Sequence, residues 1–292
     1  MGKKTAITVY VDNNKYGVEE FSWLYKSWIY SGCRETSDIL LFCNPEVYDD
    51  LPEDAGIKKY RVEPLSDRDV VWSDYRFINS VEYLTTDIAK AAVSGYEYIL
   101  RTDGDVFLTK NFSGLESRLT LFGTGCFVQT KDVADRIFSI SQKLGLCFSH
   151  MYNTGSTLFS KTASVITYSK VQFDVCKYLL DNEFSEAGAW PGWYRGTLTM
   201  YAGDIAANAI FGLGFARVGI DCMSMSNEKI SSTDYHIHAF HTNQYFSKLH
   251  LRAGDYDGFN LVSLDTSIVN NYCLFIAKSS VDSLIKHKKP CF

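Results

Sequence analysis

Across residues 1–110, apolar β-branched runs alternate with helical periodicity, and a turn residue marks each change of period. Residues 5–11 form a β-branched, aromatic run that ends in Asp12-Asn13-Asn14, the pattern of a buried strand entering a turn. Phe21, Leu24, Tyr25, Trp28 and Ile29 recur at helical spacing and predict a helix over 19–30, with Gly32 as its stop. Residues 38–43 are a continuous apolar run closed by Asn44-Pro45, which suits a strand covered on both faces. A further strand is expected over 58–62. A long helix is expected over 75–94, with Ser73 or Asp74 as cap and Gly95 as stop, and a strand over 96–101 follows. This order predicts an α/β fold with a mostly parallel sheet and helices on both faces. In such sheets ligands bind at the C-terminal ends of the strands.

The second half is mixed. Strands are expected near 121–128 and 155–159, helices near 132–144 and 163–182, then a loop rich in Gly and Trp. No repeat or low-complexity linker divides the chain, so one domain over 1–292 is expected. With 46% hydrophobic and 22% charged residues the composition excludes wholesale disorder. The net charge of −5, with no long basic run, gives no basis for non-specific binding to nucleic acid or anionic membranes. Any phosphate must therefore be held locally, by backbone N–H groups, a few cations or a metal ion.

Eight cysteines without a CxxC pair read as buried thiols of a reducing compartment. No window reaches about 18 uninterrupted apolar residues. After Met1-Gly2, position 6 is Ala, not the Ser or Thr of a myristoylation signal. A soluble, cytoplasmic protein without a membrane anchor is the expectation.

Asp103-Gly104-Asp105 follows the strand ending at Arg101. Residues two apart on a strand share a face, so both carboxylates can address one point, and Gly leaves room for a ligand. Two hard oxygen donors suit Mg²⁺ or Mn²⁺, which complete their shells with water and substrate phosphates. An ordinary Asp-Gly turn is the alternative reading. A second cluster lies downstream: four of the six histidines fall between 236 and 250, and alternation puts His236 and His238 on one strand face. Aromatic side chains on the loop carrying Trp190, Trp193 and Tyr194 could form a sugar platform or a hydrophobic plug.

Residues 98–108, Tyr-Ile-Leu-Arg-Thr-Asp-Gly-Asp-Val-Phe-Leu, resemble the aspartate-x-aspartate segment of nucleotide-sugar glycosyltransferases of the GT-A fold. That resemblance implies a GT-A-like, Rossmann-like fold in one domain, with a donor half over 1–110. Residues 111–292 would hold the acceptor half and a C-terminal metal and phosphate segment. Asp105 would bind Mn²⁺ (or Mg²⁺), and Asp103 the metal or the donor ribose. Val9, Tyr10, Val11 and Asp12 would lie against base and ribose, and Arg76 would be a further donor contact. The third metal ligand would be His241, with His238 second. Lys248 resembles the diphosphate-neutralising lysine of glycogenin-like enzymes, although the Lys-Pro-Trp continuation is missing. Asn153, in Asn-Thr-Gly, resembles a segment that reaches the sugar. Asp204, expected at a helix start as either N-cap or general base, resembles the acidic residue facing the acceptor. A further resemblance is to cytoplasmic glycosyltransferases of large algal viruses.

The expected activity is transfer of a sugar from a nucleoside-diphosphate sugar, with UDP as the nucleotide, to a carbohydrate hydroxyl. Inversion with Asp204 as base is preferred over retention. Its partners are then a nucleotide-sugar donor and a glycan acceptor, with no nucleic acid. Two alternatives stay open: a sugar-nucleotide nucleotidyltransferase, against which the loop after the first strand has only one Gly and one Lys, and a non-catalytic carbohydrate-binding protein.

Overall fold

Thr5–Val11 forms strand β1, whose alternate side chains enter two different cores: Ile7, Val9 and Val11 on one face and Ala6 on the other. The computed structural model describes residues 2–68, 72–240 and 246–287. Helix α1 (Gly17–Tyr30) covers the first face with Phe21, Leu24, Trp28 and Ile29, the stripe that the spacing predicted. It stops at Gly32, whose φ of 82° is open to glycine at no steric cost. Strand β2 (Ser37–Cys43) sends Ile39, Leu41 and Cys43 to the α1 side and Leu40 and Phe42 to the other. Burial on both faces is why that run is continuously apolar. Each such fully buried side chain contributes about 1.5–3 kcal/mol relative to exposure.

Strand β3 (Ile57–Arg61) follows, then the single-turn helices α2 (Leu65–Arg68) and α3 (Asn79–Glu82), helix α4 (Asp87–Val93), and strands β4 (Tyr98–Arg101), β5 (Val106–Leu108) and β6 (Thr120–Thr124). After α5 (Lys131–Lys143), strand β7 (Thr154–Lys161) leads into α6 (Thr162–Asn182), and α7 (Leu198–Phe211) packs on α6. Short strands β8 (Phe215–Ala216), β9 (Cys222–Met223) and β10 (His236–His238) precede α8 (Lys248–Ala253), α9 (Val269–Lys278) and α10 (Val281–His287).

The central sheet has seven strands in the order β3-β2-β1-β4-β7-β6-β8. Its β3-β2-β1-β4 half is wholly parallel, and β7 runs antiparallel to both β4 and β6. The expected α/β class, with a mostly parallel sheet flanked by helices and a mixed second half, is the fold found. From β1 the chain winds outward to β2 and β3, then crosses back to place β4 on the other side of β1. That reversal between β1 and β4 is a topological switch point, where two connections diverge and leave a crevice. A second sheet, β5-β10-β9, is covered by Trp23, Phe246, Cys273 and Ile276.

The single long helix expected over 75–94 is not formed. The segment divides into a 3₁₀ turn at Arg76–Ile78, α3, a second 3₁₀ turn at Tyr83–Thr85, and α4. Thr86 is the cause: it is extended at ψ 153°, its Oγ1 accepts the Ala89 N–H (3.2 Å) and its hydroxyl donates to Tyr83 O (2.7 Å). A threonine that satisfies the backbone locally starts a new helix. The expected caps Ser73 and Asp74 do not serve as such: Tyr75 stands at the N-cap position, and Asp74 pairs with Arg195. The strand expected over 121–128 ends at Thr124, after a register shift at Gly123. No described helix is long and apolar enough to cross a membrane, and no disulfide joins the described cysteines.

Candidate functional site

Strand β4 ends at Arg101, and the Thr102 N–H still donates to Thr8 O (3.1 Å) before the chain leaves the sheet. Asp103-Gly104-Asp105 is therefore a turn at the end of β4 that joins the large sheet to β5 of the small one, not a continuation of the strand. The Val106 N–H closes it onto Gly104 O (2.9 Å). A Cβ on Gly104 would lie 3.3 Å from the Phe21 backbone nitrogen, so this glycine lets the turn press against α1.

Pairing of β10 with β5 sets His238 opposite Val106, next to Asp105. Ligand atoms of Asp103, Asp105 and His238 lie within 4.8 Å of one another. His238 Nε2 is 3.3 Å from Asp105 Oδ2, and the Lys248 ammonium donates to the same oxygen at 2.5 Å. The Ser156 hydroxyl donates to Asp103 Oδ2 (2.7 Å). Burial and the neighbouring Asp105 charge raise the Asp103 carboxyl above its ordinary value. Burial alone would also raise Asp105, but His238 and Lys248 hold it well below the carboxylate range. Two carboxylates and an imidazole are hard-to-borderline donors of the kind Mn²⁺ and Mg²⁺ accept, so the residues fit such an ion. His241, the first expectation for the third ligand, lies outside the described residues.

A residue with no sequence signal completes the cluster. Asp221, in the left-handed region at φ 54°, inserts its carboxylate between β6 and β7. A Cβ on Gly123 would stand 1.7 Å from Asp221 Oδ2, and one on Gly155 2.3 Å, so both glycines exist to admit it. Asp221 Oδ1 lies 3.3 Å from His238 Nδ1 and 3.4 Å from His236 Nδ1. The two histidines share a strand face, as alternation predicted, but differ in chemistry. His236 Nδ1 accepts the Asp221 N–H (3.2 Å), its Nε2 lies 2.8 Å from the Thr102 hydroxyl, and burial lowers it to about 4. It is a neutral structural histidine. Burial would lower His238 too, but Asp105 and Asp221 on its two nitrogens raise it well above the ordinary value.

A cavity of about 540 Å³ opens at the β1/β4 switch point, with Asp103 and Asp105 on its wall. Of the residues expected around a nucleotide, Tyr10, Val11, Asp12 and Arg76 line it, whereas Val9 is wholly buried in the sheet. Arg76 holds Asp12 through two bonds, Nε to Oδ2 (3.3 Å) and Nη2 to Oδ1 (3.2 Å). The Tyr10 hydroxyl is buried without a hydrogen-bond partner among the described residues. Arg101, 6% exposed, also lines the cavity and donates to Gln172 and to Ser80 O (3.3 Å).

Asn153 and Asp204 are brought together, but away from the cavity lining. Asp204 sits inside α7, not at its start, and is 0% exposed. Its Oδ1 accepts the Thr154 N–H (2.8 Å) and hydroxyl (2.6 Å), and its Oδ2 accepts the Asn153 N–H (2.8 Å). Burial pushes this carboxyl up to about 7 against those donors. Asn153, at φ 62°, uses its Oδ1 to accept the Phe127 (2.8 Å) and Val128 (2.7 Å) N–H groups. Both side chains thus anchor the approach to β7. In the Trp loop, Trp193 is stacked between Phe184 and Tyr201 (4.9 and 4.5 Å between centroids), a packing residue and not an open platform. Trp190 is 56% exposed, and the Tyr194 N–H donates to the Tyr201 hydroxyl (3.4 Å). The cavity is lined instead by the following Gly196, Thr199 and Met200.

A family model described as a domain of unknown function, DUF7164, matches residues 2–287. No curated protein matches the chain. Among solved structures, an active-site mutant of LgtC is similar over 75% of this chain and 75% of its own, at 12% identity and a TM-score of 0.45.

Proposed function

We propose that this chain, which belongs to the DUF7164 family, is a metal-dependent glycosyltransferase that moves a sugar from a nucleoside-diphosphate donor, with UDP as the nucleotide, to a carbohydrate hydroxyl. One observation carries the reading: the Asp103, Asp105 and His238 donors gather within 4.8 Å beside a cavity at the β1/β4 switch point of a mostly parallel sheet. Asp103, Asp105 and His238 would hold Mn²⁺ or Mg²⁺. Such an ion would supply Lewis-acid charge at the leaving diphosphate.

The chain's own residues then divide the work. Ser156 fixes Asp103 by its hydroxyl. Lys248, 5% exposed and bound to Asp105, would turn to the diphosphate as a second cation once an ion takes over Asp105. Asp12, locked by Arg76, faces the ribose, and the Tyr10 side chain lies against the base. Residues 1–110 act as the donor half, and 111–292 as the acceptor half with the C-terminal metal and phosphate segment that carries His238 and Lys248, within one domain. The buried, triply bonded Asp204 anchors the backbone at Asn153 and Thr154, an arrangement that favours a positioning role over that of an inverting base.

The test is release of UDP from a panel of UDP-sugars with Mn²⁺, with EDTA and Asp105→Ala as controls. Release that is metal-dependent and lost in Asp105→Ala is expected. Full activity in EDTA or in the variant would sink the reading.

A further inference from the structure

We propose that Asp221 is a positioning residue that fixes the His238 ring as a metal ligand, with Nδ1–H turned to Asp221 and the Nε2 lone pair turned to the Asp103–Asp105 turn. The inference rests on the metal-dependent reading above. Its ground is the hydrogen-bond inventory around one carboxylate. Asp221 Oδ2 accepts from the Thr157 N–H (3.4 Å), while Oδ1 is buried and receives no well-formed hydrogen bond from the described residues. Two ring nitrogens lie near Oδ1, His236 Nδ1 at 3.4 Å and His238 Nδ1 at 3.3 Å. The His236 nitrogen already accepts the N–H of Asp221 itself, so it has no proton to give. Only His238 Nδ1–H is left to satisfy Oδ1, so when a cation displaces the Nε2 proton that the ring carries between its two carboxylates, Nδ1 keeps its hydrogen and the lone pair falls on Nε2. That Nε2 is the atom 3.3 Å from Asp105 Oδ2.

The surroundings are built for this contact. The carboxylate enters where Gly123 and Gly155, on adjacent strands, have no Cβ, and any side chain there would collide with Oδ2. The left-handed backbone at Asp221 aims it inward. A carboxylate behind a ligating imidazole fixes the tautomer, restrains ring rotation and raises the basicity of the ligand nitrogen.

Mn²⁺ binding to the full chain, read from the electron paramagnetic resonance signal of free Mn²⁺, tests this without any turnover. Wild type, His238→Ala, Asp221→Ala and Asp221→Asn are compared. His238→Ala and Asp221→Ala should each lose about 10- to 100-fold in affinity. Asp221→Asn, whose amide oxygen still accepts from Nδ1–H, should recover much of that loss. Because Asp221→Ala could fail to fold, ¹⁵N-histidine NMR of the Mg²⁺-loaded wild type provides a second measurement, and the proton of His238 should sit on Nδ1. Wild-type affinity in Asp221→Ala, no loss in His238→Ala, or a proton on Nε2 overturns the assignment while the metal site stands. No Mn²⁺ binding by the wild type removes the metal reading, and this assignment with it.

Discussion

Lys248 Nζ lies 2.5 Å from Asp105 Oδ2 across 143 residues of chain, and both side chains are buried. An ammonium in that place neutralises a carboxylate that a divalent cation would otherwise neutralise. Lys248→Ala should cost the metal-free protein about 3–5 kcal/mol, the penalty of a buried charge that has lost a partner. Saturating Mn²⁺ should recover most of it, since a ligand bound only to the folded state stabilises it. Thermal melts with and without Mn²⁺ decide. An equal gap between variant and wild type in both conditions would show that the lysine and the ion do not compete for Asp105.

Gly123 and Gly155 make room for the Asp221 carboxylate, so Gly155→Ala and Gly123→Ala should each destabilise the fold by about 2–4 kcal/mol through overpacking. The added methyl would stand 2.3 or 1.7 Å from Oδ2. Urea unfolding measures this directly, and a variant within about 0.5 kcal/mol of wild type would contradict the packing described.

Asp204 sets a pH dependence. Its carboxyl is raised by burial from 3.8 to about 7, so the folded state holds this proton more tightly than the unfolded chain does. The contribution to stability is full below the unfolded value and is lost as pH rises through about 7. On that linkage the group accounts for a decline on the order of 4 kcal/mol across the window. Asp204→Asn cannot titrate, so the stability difference, wild type minus variant, should fall steadily from pH 4 to pH 7. A difference that stays flat or grows would refute the shift.

The two tryptophans of the aromatic loop should behave oppositely. Trp193→Ala removes a ring stacked on Phe184 and Tyr201 and should cost about 3 kcal/mol. Exposed Trp190→Ala should stay within about 0.5 kcal/mol of wild type. Comparable losses in chemical denaturation would mean that Trp190 too is a packing residue.

The first 110 residues were legible because their periodicity is strong: the alternating cores of β2 and the stripe of α1 appear directly as apolar runs. The helix over 75–94 was misread because its apolar spacing continues through Thr85-Thr86, and nothing in that spacing reveals that Thr86 satisfies its neighbours' backbone. Asp103 and Asp105 could be found from their spacing, and His238 from its clustering with other histidines. Asp221 could not be found, since a lone Asp after Gly219-Ile220 has no periodicity, and its meaning arises only where β6, β7 and β10 converge on it. Asp204 misled for a related reason: an acidic residue in an apolar helix reads as exposed or capping, while this one is held inside by the Asn153–Thr154 backbone.

The pairing of Phe107 with Ile237 has a consequence for how the protein comes to be active. During synthesis the acidic turn leaves the ribosome long before His238 and Lys248 exist, and the parallel strands beside it can begin to order without them. Bringing β10 to β5 closes a long loop, an entropic cost that delays such contacts. On the metal-dependent reading proposed above, cation affinity should therefore be acquired last, which would make cation binding a reporter of completed folding.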